Sequence, residues 1–207
     1  MNRETPTEQV ISDLHALTSP RPGTLEGLHR RLEDSAIRAN ILDVAYTTID
    51  TPVGTLLLAA TERGLLRIGF ETEGLDKVVN DLSREFSSRV LKSPKRLDVV
   101  AFEIDEYFNR RRTSFDLALD FSLSNGFRLL VQQFLSSIAY GTTESYKQVA
   151  ALVGNPKAVR AVGTACATNP LPIVVPCHRV LRTDGGLGGY LGGLDVKAAL
   201  LSLESAA

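Results

Sequence analysis

Ser145-Tyr146-Lys147-Gln148-Val149-Ala150-Ala151-Leu152-Val153-Gly154-Asn155-Pro156-Lys157-Ala158-Val159-Arg160-Ala161-Val162-Gly163 is the stretch whose pattern decides the architecture of the C-terminal half. Residues 145–153 carry apolar side chains on helical spacing, and Gly154-Asn155 supplies a stop. Pro156 then stands where a first helical residue is expected, because a missing amide and a fixed φ suit that position, and opens a helix running to about residue 167. Two short helices joined by a tight glycine-containing turn predict a helix-turn-helix, with Lys157 and Arg160 on the second, recognition-type helix. Many helical hairpins never meet DNA, so this pattern permits nucleic acid without requiring it.

Outward from this stretch, residues 127–138 predict one helix with Leu130, Val131, Phe134, Leu135 and Ile138 inward, ended by Tyr140-Gly141. A final helix is expected over residues 194–203, leading into Glu204. Before residue 118 the period changes. Residues 44–49, 55–60 and 64–70 are β-branched and apolar runs between turn signals, the first turn being Thr51-Pro52-Val53-Gly54, and predict a small antiparallel sheet. A helix over residues 75–86 places Val78, Val79, Leu82 and Phe86 on one face, and another over 99–109 buries Val100, Ile104 and Phe108. The basic stretch 91–96 between them reads as a loop, and residues 115–120 as a short extended piece. Residues 1–40 are polar, with Pro20-Arg21-Pro22-Gly23 separating helix-like stretches at 8–17 and 25–37. The expected fold is therefore α+β: an N-terminal extension (1–40), an α/β domain with the small sheet (41–117), and a mostly helical, winged-helix-like domain with the helix-turn-helix (118–207).

Composition narrows the function classes. At 207 residues and 43% hydrophobic, the chain is long enough for one or two real cores. No run approaches the roughly 18 apolar residues that a membrane helix needs, and the polar start Met1-Asn2-Arg3-Glu4 does not open a signal peptide, so a cytoplasmic location is the default expectation. Cys166 and Cys177 are the two cysteines, eleven positions apart, which indicates neither a disulfide framework nor a cysteine zinc site. His15 and His29 have no cysteine nearby, so no metal and no cofactor are expected. The formal charge is −1, yet from Gly126 to Arg182 six basic residues (Arg128, Lys147, Lys157, Arg160, Arg179, Arg182) face one acidic residue, Glu144, a local net of +5. Such a cluster suits phosphate binding, and equally a solvated face with no partner.

The chemistry concentrates in Asn169-Pro170-Leu171-Pro172-Ile173-Val174-Val175-Pro176-Cys177-His178-Arg179-Val180. Three prolines lead a stiff chain that cannot be helical into an adjacent Cys-His pair. A cysteine at its normal pKa of about 8.5 is only a few per cent thiolate at neutral pH, so attack on carbon needs a base or a positive field, and His178 is a candidate to supply one. Glu204 is a candidate to orient the imidazole, as in a catalytic triad. The competing reading is a small buried thiol, with Cys177 and His178 on opposite faces of an extended strand.

The run Pro176-Cys177-His178-Arg179-Val180, with Asn169-Pro170 before it and Gly192-Gly193-Leu194 and Lys197 after it, resembles the active-site region of the methylated-DNA–protein-cysteine methyltransferases, the O6-alkylguanine-DNA alkyltransferase family. The resemblance extends through Tyr140-Gly141, Thr143, Ser145-Tyr146 and residues 154–163, more loosely through 111–116 and 51–70, and covers about residues 44–204. It implies that Cys177 accepts the alkyl group, that His178 deprotonates it through a water, that Glu204 holds the histidine, and that Asn169 orders the active-site turn. It implies that Tyr146 donates to the guanine ring as charge develops there, and that Arg160 enters the stack in place of the extruded nucleotide. Ser145, Lys157, Ala158 and Arg179 would bind the DNA, and Val180, Thr183, Tyr190 and Cys166 would line the base pocket. The implied partner is double-stranded DNA containing O6-alkylguanine, with O4-alkylthymine as a second candidate lesion. A monomer acting once per molecule is the implied form, and the groove contacted is the minor one.

The chain departs from the family pattern at Gln132, where relatives often carry Trp, and at Ala139, where they often carry Pro before Tyr-Gly; both read as packing changes. Cys166 reads as a space-filling thiol, and the glycine-rich loop 185–189 follows Asp184, an unwelcome charge near DNA. The alternative function is a non-catalytic alkylated-DNA lesion binder, against which Cys177 itself speaks. A sensor using residues 1–40 lacks a zinc-binding cysteine set, and a cysteine hydrolase would need water to release the enzyme from a stable thioether.

Overall fold

The computed structural model describes residues 24–39 and 41–205, apart from the side chains of Glu26 and Ile37. The helix expected over residues 8–17 and the break at 20–23 lie outside the described residues. The chain divides into a unit ending at Ile41 and a second unit from Leu42 onward. In the first, α1 (Thr24–Arg38) carries Leu25, Leu28 and Leu32 at the spacing that predicted it.

The second unit begins with a hairpin made by its turn residues. Pro52 brings no amide, Gly54 takes φ +98°, and the Thr51 hydroxyl donates to the Gly54 carbonyl at 2.7 Å, closing β1 (Val44–Thr51) onto β2 (Gly54–Thr61). β3 (Gly64–Phe70) pairs antiparallel with β2. The sheet is not wholly antiparallel, as the sequence pattern suggests. Leu91 and Lys92 of the expected loop, with Val90 before them, form β4 (Val90–Lys92), which pairs parallel with β1 at the sheet edge, in the order β3-β2-β1-β4, and Pro94–Leu97 is a 3-10 turn.

Side chains alternate across a strand, so the continuous apolar run of β2 fills two cores. Leu57, Ala59 and Leu66 pack with Val78 and Leu82 of α2 (Leu75–Glu85), whereas Leu56, Leu58, Ile68 and Phe70 enter the main core. The inner face of α3 (Asp98–Phe108) consists of Val100, Glu103, Ile104 and Tyr107; Phe108, expected inside, is half-buried. The chain after α3 returns along β3: Leu65 donates to the Ala118 carbonyl and Asp120 to the Leu65 carbonyl, both at 2.8 Å.

α4 (Gly126–Leu135) is shorter than the 127–138 pattern implied. Ile138 is buried, but in the turns beyond the helix end, while Leu130, expected inward, is exposed. Gln132 is fully buried and its Nε2 donates to the Ala165 carbonyl at 3.0 Å, tying α4 to the helix that carries Cys166. α5 (Tyr146–Leu152) starts on a capping box in which the Ser145 hydroxyl accepts from the Gln148 amide and the Gln148 side chain accepts from the Ser145 amide. α6 (Val159–Ala167) starts three residues later than predicted: Pro156 and Lys157 form a turn, stapled by Asn155 N to Ala150 O and Ala158 N to Asn155 O, both 2.9 Å. Lys157 therefore precedes the recognition helix, and Arg160 lies in its first turn. A two-residue parallel pairing, β5 (Glu144–Ser145) with β6 (Val180–Leu181), holds the cysteine segment against the start of α5. α7 (Leu194–Ser205) turns Lys197, Leu200 and Glu204 inward. Among the described residues, no helix is long and apolar enough to cross a membrane.

Candidate active site

Three prolines remove backbone donors from residues 169–176, so the polar groups of this buried segment need side-chain partners, and Asn169 supplies them. Its Oδ1 accepts from the Leu171 amide at 3.0 Å, while Nδ2 donates to the Val175 carbonyl at 2.8 Å and to Cys177 Sγ at 3.1 Å. Ile173 takes φ +75°, a left-handed conformation unfavourable for a β-branched residue and held here by complete burial. Cys177–Arg179 is a 3-10 turn and not an extended strand, so the opposite-face argument against a cooperating Cys-His pair does not apply.

Behind this turn lies a buried charge cluster. Glu204 Oε1 meets His178 Nε2 at 2.8 Å, Arg179 Nη2 at 2.9 Å and the Tyr107 hydroxyl at 2.7 Å; Oε2 accepts from Arg179 Nε at 2.9 Å and from the Gly141 amide at 3.2 Å. Burial alone would raise the Glu204 carboxyl, but the hydrogen bonds from His178 and Arg179, the His178 charge and the Tyr107 hydrogen bond outweigh it and hold the group down at about 2. Burial lowers the pKa of His178 despite the opposing pull of Glu204, so the imidazole is neutral at pH 7. With Nε2 committed to Glu204, the other ring nitrogen, Nδ1, is buried without a hydrogen-bond partner among the described residues. It is the nitrogen open to a proton.

Cys177 is 1% exposed. Burial pushes its thiol up to about 11, against the opposing effects of the Asn169 hydrogen bond and the Lys197 charge. Only about one molecule in ten thousand would then be thiolate at pH 7, which makes a neighbouring base necessary for attack. Lys197 is itself buried, donates to the carbonyls of Val180 (2.6 Å) and Leu187, and lies 5.8 Å from the Tyr146 ring centroid.

The groups around the thiol are closely packed. Gly188, at φ +67°, lies so close to Tyr146 that a Cβ there would stand 2.7 Å from the tyrosine hydroxyl. Tyr190 packs edge-on against His178 and against Phe70 of β3, and a Cβ at Gly192 would meet the Phe70 ring at 2.8 Å. The hydroxyl of Tyr190 is buried and has no partner among the described residues. Val180 is buried and Thr183 is exposed. Cys166 is buried on α6, its thiol raised by burial and by the neighbouring Cys177. Outside, Lys157 and Arg160 are exposed beside the start of α6, whose first turn holds no acidic residue.

Two family models match the chain: the 6-O-methylguanine DNA methyltransferase ribonuclease-like domain over residues 44–121, and the DNA binding domain of the same name over residues 126–206. The chain belongs to the 6-O-methylguanine DNA methyltransferase family. Among curated relatives, the methylated-DNA–protein-cysteine methyltransferase of Methanosarcina barkeri is 38% identical over 159 residues, covering 77% of this chain and 96% of the relative. The constitutive enzyme of that name from Bacillus subtilis is 40% identical over 160 residues, covering 77% and 94%. A crystal structure of Mycobacterium tuberculosis OGT in complex with DNA matches with a TM-score of 0.68 and 36% identity, over 78% of this chain and 93% of that one.

For a methyltransferase of this family, the structure brings together Cys177, His178, Asn169 and Glu204 as the sequence suggested, with Tyr146, Tyr190, Val180 and Cys166 around them. One expected DNA contact is corrected. Arg179 is buried and doubly bonded to Glu204, with Nη1 donating to the Ile138 carbonyl, so its guanidinium is not available to a phosphate. Two expected contacts have other duties: the Ser145 hydroxyl is engaged in the cap of α5, and Ala158 is the N-terminal boundary residue of α6. Sequence reasoning missed Tyr107 and gave Lys197 no role. Continuing the helical spacing of Val100 and Ile104 by three residues would have found Tyr107.

Proposed function

We propose that this chain repairs duplex DNA by moving the alkyl group of O6-alkylguanine onto its own Cys177, once per molecule. The observation that carries the reading is a buried thiol one residue from an imidazole whose Nε2 is fixed by Glu204 and whose Nδ1 has no partner among the described residues. His178 Nδ1 takes the Cys177 proton through an intervening water. The sulfur lone pair then forms the S–C bond as the C–O6 bond breaks, and the electrons leave with guanine. Tyr146 donates to the departing ring, and Asn169 holds the sulfur through Nδ2. The lesion lies in the duplex stack, so the nucleotide must be rotated out, at a cost of a few kcal/mol, and the exposed Arg160 of α6 fills the gap. The product is a stable thioether, so the acceptor is spent after one transfer. The proposed form is a monomer, and the proposed location is the cytoplasm.

The test is intact-protein and peptide mass spectrometry after mixing with duplex oligonucleotide carrying one O6-methylguanine, beside Cys177→Ala. The expected result is one added methyl on Cys177, saturating at one per chain and absent from the variant. Lesion binding without transfer would overturn the reading in favour of a recognition protein.

A further inference from the structure

Tyr107 stands on α3, in the sheet-bearing half of the unit and 97 positions before Glu204, yet its hydroxyl is buried against the carboxylate at the heart of the site. Its ring is fixed by aromatic neighbours, edge-on to Phe108 and Tyr140 and tilted against Phe115, at centroid distances of 5.4, 6.1 and 5.4 Å. Among the described residues the hydroxyl has one acceptor, Glu204 Oε1, the same oxygen that holds His178 Nε2.

Resting on the reading of His178 as the base, we infer that Tyr107 is a positioning residue for alkyl transfer: by sharing Glu204 Oε1, it fixes the carboxylate that orients His178 and limits how strongly that carboxylate draws on the imidazole. A carboxylate oxygen has about two in-plane acceptor sites, and Oε1 serves three donors, so each hydrogen bond competes with the others. A histidine facing a lone buried carboxylate would tend to hold a proton at neutral pH and would be useless as a base. Here Arg179 already balances the charge of Glu204, and Tyr107 withdraws more of it from His178. The other ionisable groups facing this pair are Lys197 on the same helix, Tyr190 from the glycine-rich loop, Tyr140 after α4, and Cys177 itself. None of these four hydrogen-bonds Glu204 through its side chain, so among the described residues Tyr107 and Arg179 are the side-chain donors that compete with His178.

The test is the single-turnover rate of methyl transfer from an O6-methylguanine duplex between pH 5 and 9, for the full chain and for Tyr107→Phe, which keeps the ring and removes the donor. With the phenol gone, Glu204 bonds His178 more strongly and the imidazole becomes more basic. The acid limb of the rate should move up by about half to one pH unit, with a plateau at high pH within a few-fold of the parent. A profile that superimposes on the parent after scaling overturns the inference. Tyr140→Phe removes a phenol from the same aromatic cluster without touching Glu204 and should leave the limb in place; an equal shift there would assign the effect to loosened packing and overturn the inference too. If Tyr107→Phe melts below the assay temperature, 3-fluorotyrosine at position 107 decides, because a more acidic phenol should move the limb down, and an unmoved limb sinks the idea. A parent chain that transfers no methyl at any pH is a different failure, that of the proposed reaction itself.

Discussion

Arg179 carries its charge into the interior because Glu204 presents both carboxylate oxygens to it, Oε2 to Nε and Oε1 to Nη2, each at 2.9 Å. The third edge of the guanidinium is satisfied by the Ile138 carbonyl. Breaking such a pair from one side leaves a buried anion without its counter-charge, so Arg179→Ala should destabilise the fold by about 3–5 kcal/mol, read as a lower urea midpoint. Arg179→Lys should recover only part of this, since one ammonium cannot span both oxygens and the carbonyl. In the sequence Arg179 counts among the basic residues of a DNA-facing surface, because an arginine is exposed far more often than buried. Nothing local marks it otherwise: its partner is 25 positions away on another helix.

At the scale of elements, the paired helices α5 and α6 were legible in outline because capping and stop signals are local. Ser145 and Gln148 form the capping box, and Gly154, at φ +80°, ends the turn. The start of α6 was not legible, because Pro156 suits both a first helical residue and a tight turn, and the choice is made by the backbone bonds of Asn155. β4 escaped notice for a related reason: three residues, one of them Lys92, carry no period, and only pairing with β1 makes them a strand. The segment around Cys177 could be read best of all, since residues 169–180 are contiguous and chemically unusual; Tyr107 could not, since its hydrogen bond to Glu204 joins distant parts of the chain. The exposed Lys157 at the α6 end leads to a prediction for DNA binding. Lys157→Ala should lower the slope of log affinity against log salt by about one for undamaged duplex. Lys95→Ala, a substitution in the turn after β4, should leave that slope unchanged; fluorescence anisotropy across a salt series measures both.

For the whole molecule, the buried cluster predicts where acid will unfold it. In the unfolded chain a glutamate takes up its proton near pH 4.5, whereas folded Glu204 stays ionised down to about 2, so its contribution is full above the former value and disappears as pH falls through the latter. That interval corresponds to roughly 3 kcal/mol. His178 acts with the same sign: its pKa is lowered on folding, the unfolded chain binds that proton first, and stability declines as pH drops below about 6.5. Urea titrations at intervals from pH 8 to pH 3 should show the loss beginning below 6.5 and steepening below 4.5. Glu204→Gln should flatten the steeper part.

The hydrogen bond between Tyr107 and Glu204 closes a loop of 97 positions, and that between Arg67 and the Pro170 carbonyl one of 103. Contacts this distant along the chain form only after much chain entropy has been surrendered, whereas helices grow from neighbouring residues within microseconds. A refolding chain thus regains its helices well before it holds a base poised beside a thiol. During that interval it is a collapsed polymer with an unassembled reagent, and every half-folded population in a cell would be repair-silent however native its secondary structure looked.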